Sequence, residues 1–145
     1  MSLQDAVLKG ERLAVSRLLT AVENDTAEGQ AALNELFVHT GKAHLIGITG
    51  APGTGKSSLV NQIALHYRKA AKPLNVAIVA VDPSSPFTGG AVLGDRVRMR
   101  ELSGDSGVFI RSMATRGSLG GLATATAGMT QVLDAAGFEV ILIET

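Results

Sequence analysis

The chain has 145 residues, the common size of one domain, and its 46% hydrophobic and 18% charged residues exclude a disordered polypeptide. Thirteen basic side chains balance thirteen acidic ones, so net charge gives no reason to expect nucleic acid or an anionic membrane as partner. The absence of cysteine excludes disulfides, thiolate metal sites and cysteine nucleophiles, and 3% aromatic residues without Trp leave no stacking platform for single strands.

Residues 3–37 read as helical, with Leu3 and Val7, then Ala14, Leu18 and Val22, recurring at helical spacing. Gly10 interrupts the first helix. Asn24-Asp25-Thr26 forms a turn and cap before a further helix whose apolar face includes Leu33, Leu36 and Phe37. Six acids in this region (Asp5, Glu11, Glu23, Asp25, Glu28, Glu35) face three bases and read as a solvated surface; the alternative is a docking surface for a partner or a second subunit. The start, Met1-Ser2-Leu3-Gln4-Asp5, has neither the basic nor the apolar stretch of a secretory signal, and no run approaches the 18 apolar residues of a membrane span, so a cytoplasmic protein is expected.

His39-Thr40-Gly41-Lys42 is a short connection, after which apolar runs alternate with helical segments. Strands are predicted over 43–49, 74–81, 107–111 and 138–143, and helices over 56–71 and 119–136; residues 91–102 are read as helix or loop. Continuous apolar runs, rather than strict alternation, indicate parallel strands buried on both faces. The fold class is therefore α/β with a mostly parallel sheet, preceded by N-terminal helices. The last strand runs out at Glu144-Thr145 without a closing turn or helix, and the chain is expected to be part of a longer protein.

Gly50-Ala51-Pro52-Gly53-Thr54-Gly55-Lys56-Ser57 matches G-x-x-x-x-G-K-[ST] at every defined position, between a predicted strand and a predicted helix. Three glycines let the backbone curl so that several N–H groups point at phosphate oxygens, and the following helix presents its positive end to the same ligand. Lys56 is expected to reach the β- and γ-phosphates and Ser57 to place its hydroxyl on Mg²⁺, with Ser58 beside it in the binding set. The glycine spacing is the reverse of the dinucleotide fingerprint G-x-G-x-x-G.

Ligands of a parallel sheet bind beyond the carboxyl ends of its strands, where Asp82, Asp95 and Glu144 are expected. Each alone reads equally well as a cap or loop carboxylate; together around one phosphate loop they become candidate Mg²⁺ ligands, directly or through water. Arg96, Arg98, Arg100, Arg111 and Arg116 crowd residues 91–116, to neutralise phosphate charge, to form an interface, or as a solvated face. The glycines around Arg116 suggest a mobile loop feeding a helix. His39, His44 and His66 lack metal-ligand spacing and are read as structural.

Gly47-Ile48-Thr49-Gly50-Ala51-Pro52-Gly53-Thr54-Gly55-Lys56-Ser57 resembles the MeaB/ArgK-like P-loop GTPases. So do Val81-Asp82-Pro83-Ser84-Ser85, Gly94-Asp95-Arg96-Val97-Arg98-Met99, Arg111-Ser112-Met113-Ala114-Thr115-Arg116-Gly117 and Ile143-Glu144-Thr145, and Thr40-Gly41-Lys42-Ala43-His44 in the N-terminal part. The resemblance implies a three-layer P-loop NTPase sandwich of the signal-recognition-particle/MinD class, with a helical segment at 1–40 and the N-terminal part of the GTPase domain at 41–145. It implies GTP as substrate and GDP as product. It also implies Mg²⁺ held around Ser57, Asp82, Asp95 and Glu144, with Lys56, Asp95 and Glu144 in the catalytic set, Asp95 in the first switch and Glu144 opening the second. The implied role is that of a chaperone for an adenosylcobalamin-dependent mutase of the methylmalonyl-CoA mutase type, gating cofactor loading and protecting the mutase, in a protein that is a homodimer at full length. An older label for the family is an ATPase or kinase tied to lysine/arginine/ornithine transport, which is the runner-up; a non-hydrolysing nucleotide-binding fragment is the third reading. The family's second-switch glycine, its N/T-K-x-D guanine-recognition motif and its dimerisation segment have no counterpart in these 145 residues, so guanine preference rests on the resemblance alone.

Overall fold

Ser2 starts the first helix, α1 (Leu3–Leu8), through a capping box: its hydroxyl accepts from the Asp5 amide at 3.1 Å while its own amide donates to the Asp5 carboxylate at 3.4 Å. The computed structural model describes residues 2–50, 55–82, 102, 104–114 and 119–145, with the side chains of 82, 114 and 119–124 outside that description. After a break at Gly10 comes α2 (Arg12–Glu23), which buries Ala14, Val15, Leu18, Leu19 and Val22 along one face, the stripe that its spacing predicts. Asp25, with φ of +53°, turns the chain, and the Thr26 hydroxyl caps α3 (Ala27–Leu36) by accepting from the Gly29 amide at 3.0 Å. A single 3₁₀ turn, Phe37–His39, follows.

The remaining elements are β1 (His44–Ile48), α4 (Lys56–Arg68), β2 (Val76–Asp82), β3 (Val108–Ala114), α5 (Leu119–Ala135) and β4 (Val140–Glu144). All described strands are parallel, in the order β1-β4-β2-β3. The last strand thus lies between the first and the second. Its register aligns Ile48, Glu144 and Ala80 at one level across three strands, so β1 and β4 end together and β2 runs two residues further.

The chain divides into two compact units. One comprises residues 1–43 and 118–139, in which α5 packs with α1, α2 and α3. The Asp134 carboxylate of α5 accepts three successive backbone amides, Gly41 at 2.7 Å, Lys42 at 3.3 Å and Ala43 at 3.2 Å, and so holds the connection that precedes β1.

The other unit comprises residues 44–117 and 140–145. Here α4 lays Val60 and Ala64 against Ile48, Val76, Ile78, Val108, Val140 and Leu142, with Leu102 completing the cluster. The alternate residues Ala77, Val79 and Ile141 are fully buried as well, which is why these strands read as unbroken apolar runs. Each fully buried Val, Ile or Leu contributes roughly 1.5–3 kcal/mol relative to exposure, which makes this sheet a rigid platform for what lies at its carboxyl edge.

Candidate phosphate-binding site

The carboxyl end of β1 delivers Thr49 and Gly50, and α4 opens at Lys56. Between them, Gly55 has φ of +91°, a left-handed conformation open to glycine at little cost, and serves as N-cap of α4 without any side-chain cap. The amide of Leu59 donates to the Gly55 carbonyl at 3.0 Å, closing the first turn. The start of a helix carries partial positive charge and amides that have no acceptor within the helix, a natural anion site. Ala51, Pro52, Gly53 and Thr54 lie outside the described residues.

Two side chains of that first turn meet the end of β4. The Ser57 hydroxyl donates to Glu144 Oε1 at 2.8 Å, and both residues are buried, each 7% exposed. Lys56 Nζ donates to the Thr145 carbonyl, while the Thr145 amide donates to the Ile48 carbonyl at 3.0 Å and extends the β1–β4 ladder by one bond. Ser58 is exposed on the same turn. A residue motif and a strand end separated by 87 positions are thereby brought to one place, as the carboxyl-end rule predicts.

Glu144 Oε2 is buried and has no hydrogen-bond partner among the described residues. A buried carboxylate oxygen left unsatisfied costs on the order of 1–3 kcal/mol, more when charged, so this atom is suited to a further donor or a cation. With the Ser57 hydroxyl beside it the donor set is hard oxygen, which fits Mg²⁺. Among the described residues no three His, Cys, Asp or Glu side chains gather into a metal cluster.

Asp82 ends β2, level with Ala114 of β3 and two residues beyond Ala80, which is level with Glu144. Its backbone therefore lies at the same sheet edge. Asp95 and the arginines 96, 98, 100 and 116 lie outside the described residues. Arg111 is half-buried within β3, level with Val79. His39 ends the 3₁₀ turn, His44 begins β1, and the His66 ring stands edge-on to Tyr67 with centroids 5.4 Å apart.

One polar cluster escapes sequence reading. Arg68, the last residue of α4, donates from Nε and Nη2 to the two Asp105 oxygens at 2.9 and 2.7 Å, and from Nη1 to the Leu74 carbonyl at 2.9 Å. Asp105 Oδ1 also accepts the Gly107 amide at 2.9 Å, and the Gly107 carbonyl accepts the first amide of β2, Val76, at 2.9 Å. The partners are 37 residues apart, and only a turn signal near Gly107 hints at the place.

Known proteins share this sequence and architecture. The chain matches the family described as "Methylmalonyl Co-A mutase-associated GTPase MeaB" over residues 15–145. It is 53% identical, over 94% of its length and 43% of the other's, to a Pyrococcus horikoshii protein assigned provisionally as a GTPase. It is 36% identical to the GTPase ArgK of Escherichia coli, over 94% of this chain and 42% of that one. A fused isobutyryl-CoA mutase of Geobacillus kaustophilus is 35% identical over 94% of this chain and 13% of its own. The crystal structure of a LAO/AO transport system kinase superposes with a TM-score of 0.70 at 25% identity, covering 99% of this chain and 41% of that one. The chain thus spans less than half the length of these relatives.

Proposed function

Because this chain belongs to the MeaB family of methylmalonyl-CoA mutase-associated GTPases, we propose that it forms the phosphate-binding part of a GTP-hydrolysing chaperone for an adenosylcobalamin-dependent mutase. The observation that carries the reading is the buried Ser57–Glu144 pair, with its unpartnered carboxylate oxygen, at the first turn of α4. In this reading Gly50, Ala51, Pro52, Gly53, Thr54, Gly55 and Ser58 cradle the phosphates with Lys56 and Ser57. Ser57 and Glu144 hold Mg²⁺, with Asp82 and Asp95 supplying further oxygens. The chemistry supplied by a bound Mg²⁺ is neutralisation of charge on the phosphate oxygens.

The residues' own part is positioning and electrostatics. Lys56 exchanges its backbone acceptor at Thr145 for phosphate oxygens. Glu144, at the end of the interior strand β4 where the second switch would open, orients water through its second oxygen. Asp95 belongs to a segment that senses the γ-phosphate. GTP hydrolysis to GDP then releases that segment, and a partner reads the change.

The mutase as partner is supported by the family description and by the fused relative, in which a chain like this one is continuous with a mutase. Gating of cofactor loading, protection of the mutase and homodimer formation belong to the same proposal, as does a cytoplasmic location. No helix among the described residues is long and apolar enough to cross a membrane. The likeness to a LAO/AO transport system kinase favours a second reading, phosphoryl transfer to a protein acceptor instead of water.

Titration with fluorescent GTP and ATP, with and without Mg²⁺, tests the site. Binding by the 145-residue chain should require Mg²⁺, and Lys56→Ala should weaken it by about tenfold or more, as loss of a charge-assisted phosphate contact does. Equal binding by Lys56→Ala would refute the site. In the longer protein, labelled phosphate appearing on a protein acceptor instead of in solution would favour the kinase reading.

A further inference from the structure

The phosphate-loop helix is a rod of 13 residues, about 20 Å long, and the structure pins it at both ends. The front pin is the Ser57–Glu144 bond to β4. The rear pin is Arg68, whose three donor groups engage both Asp105 oxygens and the Leu74 carbonyl. Between the pins the helix packs on the sheet cluster through buried Val60 and Ala64, flanked by the partly buried Ile63, Leu65 and Tyr67. To that non-directional packing the polar bonds at its two ends add fixed geometry along the axis.

The rear pin is itself anchored. Asp105 is held by the Gly107 amide, and Gly107 leads into β3 and accepts the first amide of β2. A Cβ at position 107 would collide with the Arg68 guanidinium, so the pair fits against that backbone with no slack. The Asp105 amide also donates to the carbonyl of Leu102, whose side chain is buried in the core beneath α4. The cluster thus joins the helix that carries Lys56 and Ser57, the starts of β2 and β3, and Leu102.

We propose that Arg68, through Asp105, is a positioning residue: it sets the axial location of α4 and hence of Lys56 and Ser57 at the opposite end. The proposal rests on the phosphate-loop reading for its functional half, while its mechanical half is independent of any nucleotide. A rigid helix transmits a displacement along its axis undiminished. A misplacement of roughly 1 Å at a phosphate-handling group is enough to cost as much as two orders of magnitude in rate.

Arg68→Lys keeps the positive charge but cannot span Asp105 and Leu74 with a planar fork. Two measurements on this variant, Asp105→Asn and the double variant decide the matter at a temperature where circular dichroism shows all of them folded. The first is amide hydrogen exchange of the ligand-free chain. Exchange is expected to accelerate in the first turn of α4, at Leu59 and its neighbours, as well as locally near Arg68. The second is affinity for fluorescent GTP with Mg²⁺, expected to fall about tenfold in each single variant and little further in the double, as for two residues of one unit. Val15→Ala, in the helical unit, supplies a variant of lowered thermal stability with affinity unchanged. Acceleration confined to the last turn of α4, or unchanged affinity beside a loosened first turn, overturns the proposal. If the wild-type chain itself fails to bind GTP, the functional reading falls, and the exchange result alone decides whether Arg68 positions the helix.

Discussion

Ser57 and Glu144 show how a hydrogen bond and a binding site can be the same object. Ser57→Ala leaves Glu144 Oε1 buried without its donor, beside an Oε2 already unpartnered among the described residues. The expected loss is about 1–3 kcal/mol in unfolding free energy, read from the midpoint of urea denaturation at constant slope. An unchanged midpoint would mean the bond is dispensable. Asp105 gives a pH dependence of definite sign. The hydrogen bonds from Arg68, then that from the Gly107 amide, hold its carboxyl below the ordinary 3.8, and the same pairing raises the Arg68 guanidinium above its ordinary value. In the folded chain Asp105 therefore releases its proton more readily than in the unfolded one. Its stabilisation is complete above 3.8 and is lost as pH falls through the folded value below that. The stability advantage of the wild type over Asp105→Asn should be constant near neutrality and narrow below pH 3.8, measured by denaturation at a series of pH values.

Turns and helix ends decide how these residues come into register. Gly107→Ala introduces a methyl group where the Arg68 guanidinium lies, so the fork must withdraw from Asp105. The change should lower stability by about 1–3 kcal/mol and abolish the pH-dependent difference between wild type and Asp105→Asn, since both effects require the same pair. Much at this scale was legible beforehand. The predicted strand at 43–49 is observed at 44–48 and the predicted helix at 119–136 at 119–135, because long apolar patterns flanked by glycine and polar turns leave few alternatives. The strand predicted at 107–111 runs on to Ala114: Arg111 and Ser112 look like a strand end, yet the ladder with β2 carries them. The helix predicted to reach 71 stops at Arg68, where the fork to Asp105 and Leu74 takes over from helix periodicity. Such a stop depends on a partner far along the chain, as does the Asp134 grip on residues 41–43, and no local pattern announces either. The phosphate-loop motif can be read from sequence because its chemistry is written in consecutive residues, of which 51–54 lie outside the described residues. The strand-end rule and the family resemblance both set Glu144 beside Ser57 as a candidate Mg²⁺ ligand, but no sequence signal predicted the hydrogen bond between them.

At the scale of the whole molecule, α5 joins the N-terminal helices in one unit, while the strands before and after it build the other. That division was not readable from residues 119–136, whose many small side chains fit several partners. Strand order was not readable either, since apolar runs of similar length could neighbour one another in several ways. The order β1-β4-β2-β3 has a consequence in time. A ribosome emits the chain from its N-terminus at roughly 5–20 residues per second, so β1, β2 and β3 all emerge before the strand that joins β1 to the others. Until residues 140–144 appear, β1 lacks the strand with which it pairs. The strand that joins β1 to β2 carries Glu144. Assembly of the sheet and assembly of the phosphate site are therefore one event, and a nascent chain halted short of β4 has neither.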